Sequence, residues 1–163
     1  LLLLEKGASA APRGARMDTA LMRAARFRRE EVLKLLLERN GKSITPPMAL
    51  DGQNKRGDTA LLEACRAGSP EVVTLLLRHG ADPAVKNNMG MTALLEAAEA
   101  GSLEIVKLLV GHMEESGTLG DSFAAKNNHG QGLLELSKWT SHSEELSAYF
   151  KSRGVAEVEE ESH

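Results

Sequence analysis

Two stretches of this chain repeat each other almost residue for residue, 33 positions apart. The first runs Gly57-Asp58-Thr59-Ala60-Leu61-Leu62-Glu63-Ala64-Cys65, then Ala67-Gly68-Ser69, then Glu71-Val72-Val73-Thr74-Leu75-Leu76-Leu77. The second runs Gly90-Met91-Thr92-Ala93-Leu94-Leu95-Glu96-Ala97-Ala98, then Ala100-Gly101-Ser102, then Glu104-Ile105-Val106-Lys107-Leu108-Leu109-Val110. Self-similarity at one fixed period of roughly 20–50 residues is the mark of a stack of equal units. A third copy stands 40 residues upstream, as Asp18-Thr19-Ala20-Leu21-Met22-Arg23-Ala24-Ala25 followed by Glu31-Val32-Leu33-Lys34-Leu35-Leu36-Leu37; its surplus falls in Gly41–Gln53. A weaker fourth copy runs from Asn127 through Gly130, Leu134, Leu136 and Trp139 to Phe150, with its surplus between Glu114 and Phe123. Leu1-Leu2-Leu3-Leu4-Glu5-Lys6-Gly7-Ala8 reads as the end of a second helix from an earlier unit.

Each copy reads as a short helix, a break and a longer helix. Thr19, Thr59 and Thr92 stand where a hydroxyl can accept from the free N–H groups of a first helix. Gly68 and Gly101 stand where that helix must end in a left-handed residue. The pairs Ala24-Ala25, Ala64-Cys65 and Ala97-Ala98 are small enough for neighbouring helices to approach closely. The second helices are apolar on several sides, and one unit alone cannot hide that surface, so neighbours must stack on it. Aromatic residues are only 3% of the chain, so such a core must be built from Leu, Val, Ile and Ala. That suits thin layers of helices better than a β-sandwich.

The Thr-Ala-Leu-x-x-Ala-Ala block, the 33-residue period and the closing Gly80-Ala81-Asp82 resemble the ankyrin repeat. The resemblance implies an all-α ankyrin-repeat solenoid of stacked helix-turn-helix units with β-turn fingers. Residues 1–12 are then the tail of a preceding repeat, 13–53 a repeat with an extended linking loop, and 54–86 a repeat. Residues 87–125 are a repeat with an insertion, 126–154 a degenerate C-terminal capping repeat, and 155–163 an acidic disordered tail. Several positions depart from the family's pattern. Ala20, Ala60 and Ala93 stand where the family has Pro, and Met22, Leu62 and Leu95 where it has His. Met17 replaces a turn glycine, which predicts a distorted turn, and Asn40 and Met113 replace closing glycines. The more polar Glu145 and Ser147 suit the outer face of a cap.

No catalytic or ligand-binding constellation emerges. Gly41-Lys42-Ser43 ends like a phosphate-binding loop, but Leu36 occupies the place of that loop's first glycine. The histidines His79, His112, His129, His142 and His163 have no metal-ligand spacing, and with one cysteine no zinc site is expected. Cys65 replaces a packed alanine and reads as a buried, inert thiol. His142 is expected to make a structural hydrogen bond. The expectation is no enzyme, no cofactor, no metal and no small-molecule substrate.

A protein-interaction module is the reading that remains. In the family, the turn fingers and the exposed face of the first helices form the binding surface. Carried onto matching positions, the fingers supply Lys55, Arg56 and Asp58, then Asn88, Met89 and Met91, then Asn128, His129 and Gln131. The helices supply Arg26 and Phe27, Arg66 and Ala67, Glu99 and Ala100, and Trp139 and Thr140. Arg23, Glu63 and Glu96 share a column, so Arg23 is expected to pair with Glu63. Trp139 is either a contact residue or a cover over the end of the core. Arg13, Arg16, Arg23, Arg26, Arg28 and Arg29 make the first full copy basic, and an acidic partner segment is expected at its Arg26/Arg66 end.

The net charge of −3 gives no general reason to expect nucleic acid, and the Leu1–Leu4 run is far too short to span a bilayer. With Cys65 alone, an intrachain disulfide is impossible, so a reducing compartment, the cytoplasm or nucleus, is expected; a monomer is expected as well. Leu1 is not a start methionine, so the chain is also read as a piece of something longer. The alternative function is accordingly a targeting or regulatory segment of a larger enzyme or channel. Its Pro46-Pro47-Met48 loop reads as a tolerated insertion.

Overall fold

The computed structural model describes residues 17–40 and 49–155. The expectations for residues 1–12, for Arg13 and Arg16, for Gly41-Lys42-Ser43 and Pro46-Pro47-Met48, and for residues 156–163 lie outside the described residues. So does the side chain of Asn40. Among the described residues there are nine helices: α1 Ala20–Arg26, α2 Glu30–Asn40, α3 Ala60–Ala67, α4 Pro70–Arg78, α5 Ala93–Glu99, α6 Leu103–Ser116, α7 Leu119–Ala124, α8 Leu133–Ser137 and α9 Ser143–Ser152. They pair as α1/α2, α3/α4, α5/α6 and α8/α9, with α7 standing between the last two pairs.

The pairs stack in two rows. First helices α1, α3, α5 and α8 pack successively against one another, while α2, α4 and α6 form the second row. Between the rows lies a continuous apolar core running from Leu21 and Leu33 through Leu61, Val73, Leu94 and Leu109 to Leu146 and Phe150. Burying one leucine is worth about 1.5–3 kcal/mol. Every inner layer therefore depends on its neighbours for most of its stability.

The helix ends follow their local chemistry. Thr19, Thr59 and Thr92 each accept at Oγ1 from the backbone N–H three residues on, at 3.2, 3.3 and 3.4 Å. Gly68 ends α3 at φ 68°. Gly101 follows Ala100 at φ 74°.

Two expectations need correction. Met113 does not close its repeat: it is buried inside α6, which runs on to Ser116 and ends at Gly117, φ 73°. Part of the surplus sequence between Glu114 and Phe123 thus lengthens a helix. The rest forms α7, with Leu119 and Phe123 packed against the core. Met17 holds the left-handed backbone of the missing glycine, at φ 56° where Gly57, Gly90 and Gly130 hold 75°, 76° and 75°. That is a region of backbone that L-residues avoid.

Candidate protein-binding face

Among the described residues three fingers precede first helices, and each is built around one asparagine. Asn54 Oδ1 accepts from the backbone N–H of Arg56 and Asp58 at 2.9 and 3.0 Å. Asn87 does the same for Met89 and Met91 at 2.9 and 3.0 Å, and Asn127 for His129 and Gln131 at 3.0 Å each. Successive fingers are tied directly. The Asn88 N–H donates to the Arg56 carbonyl at 3.0 Å and the Asn128 N–H to the Met89 carbonyl at 2.9 Å. The Asn88 and Asn128 side-chain amides donate to the Lys55 and Asn88 carbonyls at 2.8 Å each. This closeness is why glycine is needed at two finger positions. A Cβ on Gly57 would come within 2.7 Å of the Asn88 nitrogen, and one on Gly90 within 2.5 Å of Asn128 Oδ1.

Beside the fingers runs a ladder of charge. Arg26 donates from Nη1 to Asp18 at 2.8 Å, and from Nε and Nη2 to both oxygens of Glu63 at 3.0 and 2.7 Å. One unit on, Arg66 donates to both oxygens of Asp58 at 3.2 Å and from Nε to Glu96 at 3.3 Å. It also lies 3.6 Å from Glu63, so the two arginines form one chain of ion pairs. The finger asparagines join it: Asn54 donates to Asp18 and Asn87 to Asp58, both at 2.8 Å. Each arginine thus links the finger of its own unit to the first helix of the next.

The electrostatics of the two inner carboxylates differ. Burial opposes the charge of Asp58, but hydrogen bonds from Arg66 and Asn87 outweigh it and hold the group below its ordinary range. Glu96 is raised above its ordinary value, by burial first and then by Glu99 and Asp58, against the pull of Arg66. Burial pushes the Cys65 thiol far up, so no thiolate is available there at neutral pH.

The family models give the match. Ankyrin repeats, in a model of three copies, match residues 47–119, and a single ankyrin repeat matches residues 17–48. The chain belongs to the ankyrin-repeat family. No curated protein matches it closely enough to name a nearer relative. Ankyrin repeats are in general protein-binding modules, and the all-α repeat architecture agrees with that assignment. Among the described residues no helix is long and apolar enough to cross a membrane, and no group of three metal-ligating side chains converges.

The positions carried over from other ankyrin repeats divide into three groups. Asp58 and Met91 are interior, with 0% and 2% of their surface exposed, so neither side chain is available to a partner. Their side chains turn towards the ladder and the core: Asp58 accepts from Arg66, and Met91 Sδ receives the Asn127 amide at 3.7 Å. Arg26 and Arg66 are half-buried and held between carboxylates, which leaves little of their charge for an acidic partner. Glu63 pairs with Arg26 and not with Arg23, because Arg26, at the end of α1, reaches both the finger and α3.

Lys55, Arg56, Asn88, Met89, Glu99, Asn128, His129, Gln131 and Trp139 are exposed. Phe27 is exposed too, but beside α2, where it lines an open hollow of about 550 Å³ with Val32 and Leu36. His142 meets only its neighbour Ser141 among the hydrogen bonds seen at its ring, at 3.0 Å.

Trp139 is 92% exposed. It therefore does not cover the end of the core, a task that falls to Leu134, Leu136, Leu146 and Phe150. The finger asparagines are the functional framework that residue-by-residue reading missed. Their signal was present as Asn54-x-x-Gly57, Asn87-x-x-Gly90 and Asn127-x-x-Gly130.

Proposed function

We propose that this chain is a non-catalytic protein-interaction module that binds its partner with the finger tips and the exposed side of the first-helix row. The observation that carries this reading is Trp139, 92% exposed in the turn that follows α8, at the repeat position held by Arg26, Arg66 and Glu99 in the other units. Exposed apolar residues taken singly are ordinary. Trp, however, is the residue most enriched where binding energy concentrates, and Met89 adds a second exposed apolar side chain at a finger tip. The surface around them is polar, and the fingers beneath are fixed by paired hydrogen bonds, so it is organised before any partner arrives.

The test is affinity capture from cell extract with three proteins: the unaltered chain, a Met89→Ala/Trp139→Ala variant, and a variant altered on the second-helix row at Val32 and Lys107. Arg26 and Arg66 are left in place, because removing either would unfasten the ladder and confuse folding with binding. Specific proteins retained by the chain and the second-row variant, but lost with the double variant, are the expected result. Equal capture by all three would refute the assigned face.

A further inference from the structure

The charge ladder stops after Arg66, and it stops at all three of its positions at once. In the first two units a finger aspartate, a helix-end arginine and the glutamate of the next first helix combine: Asp18–Arg26–Glu63, then Asp58–Arg66–Glu96. In the third unit these positions hold Met91, Glu99 and Leu136. Met91 and Leu136 are buried and need no counter-charge. Glu99 is exposed, and it places a negative charge where the column has twice placed a positive one.

The consequence is a local excess of carboxylate. Asp58, Glu63 and Glu96 all lie on Arg66, with Arg56 at the rim 3.5 Å from Asp58, and Glu99 adds a further carboxylate whose charge is felt at Glu96. One register further on stands Trp139, its indole in solvent. Thr140, next to it, sits so tightly on Gly101 that a Cβ there would lie 2.9 Å away, which fixes the Trp139 turn against the end of α5.

We propose that this end of the face, Glu99 with Glu96 behind it and the Trp139 turn one register further on, docks an arginine- or lysine-bearing segment of a partner protein. The partner's cation supplies the rung that the third unit omits. Glu99 offers it a charge-assisted hydrogen bond, and the open indole face offers a cation–π contact. The inference rests on the protein-binding reading above and names the chemistry of the partner. It replaces the expectation of an acidic segment at Arg26 and Arg66, whose charges are already engaged.

Trp139 is the only tryptophan in the chain, so its emission reports the site directly. The full chain is titrated with an eight-residue peptide of alternating arginine and glycine, and separately with its glutamate–glycine counterpart. The basic peptide is expected to change the emission saturably, with affinity falling as salt rises, and the acidic one is not. Glu99→Arg should weaken the basic peptide at least tenfold while circular dichroism stays unchanged and Tm does not fall. Glu104→Arg, the same charge change on the exposed surface of α6, should leave affinity within twofold.

Equal responses to the two peptides would overturn the proposal. So would equal losses in the two variants, because attraction would then be general. Concentration-dependent self-association without peptide, abolished by Glu99→Arg, would assign the site to a second copy of the chain and also overturn it. If the basic peptide fails while partner capture is still lost with Met89→Ala/Trp139→Ala, the cationic partner is wrong and the binding face stands.

Discussion

At Met17 and Arg28 the backbone turns at φ 56° and 55°, in the region where the corresponding residues of the other units are glycines. Met17 matches Gly57 and Gly90, and Arg28 matches Gly68 and Gly101. An L-residue held there costs about 1–2 kcal/mol. Arg28 recovers part of this by donating to the Gly68 carbonyl at 3.0 Å, whereas Met17 is half in solvent. Met17→Gly is therefore expected to stabilise the chain by about 1 kcal/mol, read as a higher urea midpoint at unchanged m-value; no shift would mean that the turn is not strained. The presence of Met17 in a glycine position was visible in the sequence. Its outcome was not, because a distorted turn and a strained regular one differ only in whether neighbouring contacts repay the strain, and those come from other parts of the chain.

Between elements, the ladder decides how one unit grips the next. Asp58 is wholly enclosed, and Asp58→Ala would leave Arg66 and Asn87 each short of an acceptor. Because Arg66 keeps some contact with water, the expected loss is about 2–3 kcal/mol, below the ~3–5 kcal/mol of a fully buried pair. Chemical denaturation would show it, and a loss under about 0.5 kcal/mol, the range of ordinary surface changes, would contradict the ladder's role.

The two carboxylates of this rung also act in opposite senses with pH. Asp58, held below its ordinary 3.8, contributes stability that is present above 3.8 and lost as acid titrates the folded state. Glu96, raised above its ordinary 4.5, contributes most below 4.5, and that contribution falls away as pH rises through its folded value. Glu96→Gln should therefore remove a decline in stability that the unaltered chain shows above pH 4.5. Parallel stability–pH curves for the two proteins would show that Glu96 is not shifted in the folded state. The column containing Glu63 and Glu96 was legible from the repeat period, but the identity of its arginine was not. Arg23 and Arg26 lie one turn apart on α1, and only the packing of α1 on α3 selects Arg26.

At the scale of the whole stack, stability is a sum of unit and interface contributions, so it need not be uniform. The α1/α2 pair carries both strained residues and presents the open hollow lined by Phe27, Val32 and Leu36. The α3–α6 block has a neighbour on each side and the most completely buried side chains. Hydrogen exchange is expected to be fastest in α1 and α2 among the paired helices and slowest in α3 to α6. Uniform protection across the described helices would mean that the stack opens only as one unit.

From the sequence by itself came the period, the helix pairs, the threonine caps and the family, because these are local: they depend on residue type and spacing within one unit repeated. The tertiary structure alone decided which exposed-looking positions are enclosed. Asp58 and Met91 occupy the same repeat position, yet one is locked to an arginine and the other packed beneath the next finger. It also decided that Trp139 stands in water and that surplus residues after Met113 prolong a helix. Those outcomes depend on what the adjacent unit places against each side chain, and burial and charge pairing are properties of that contact and not of the residue.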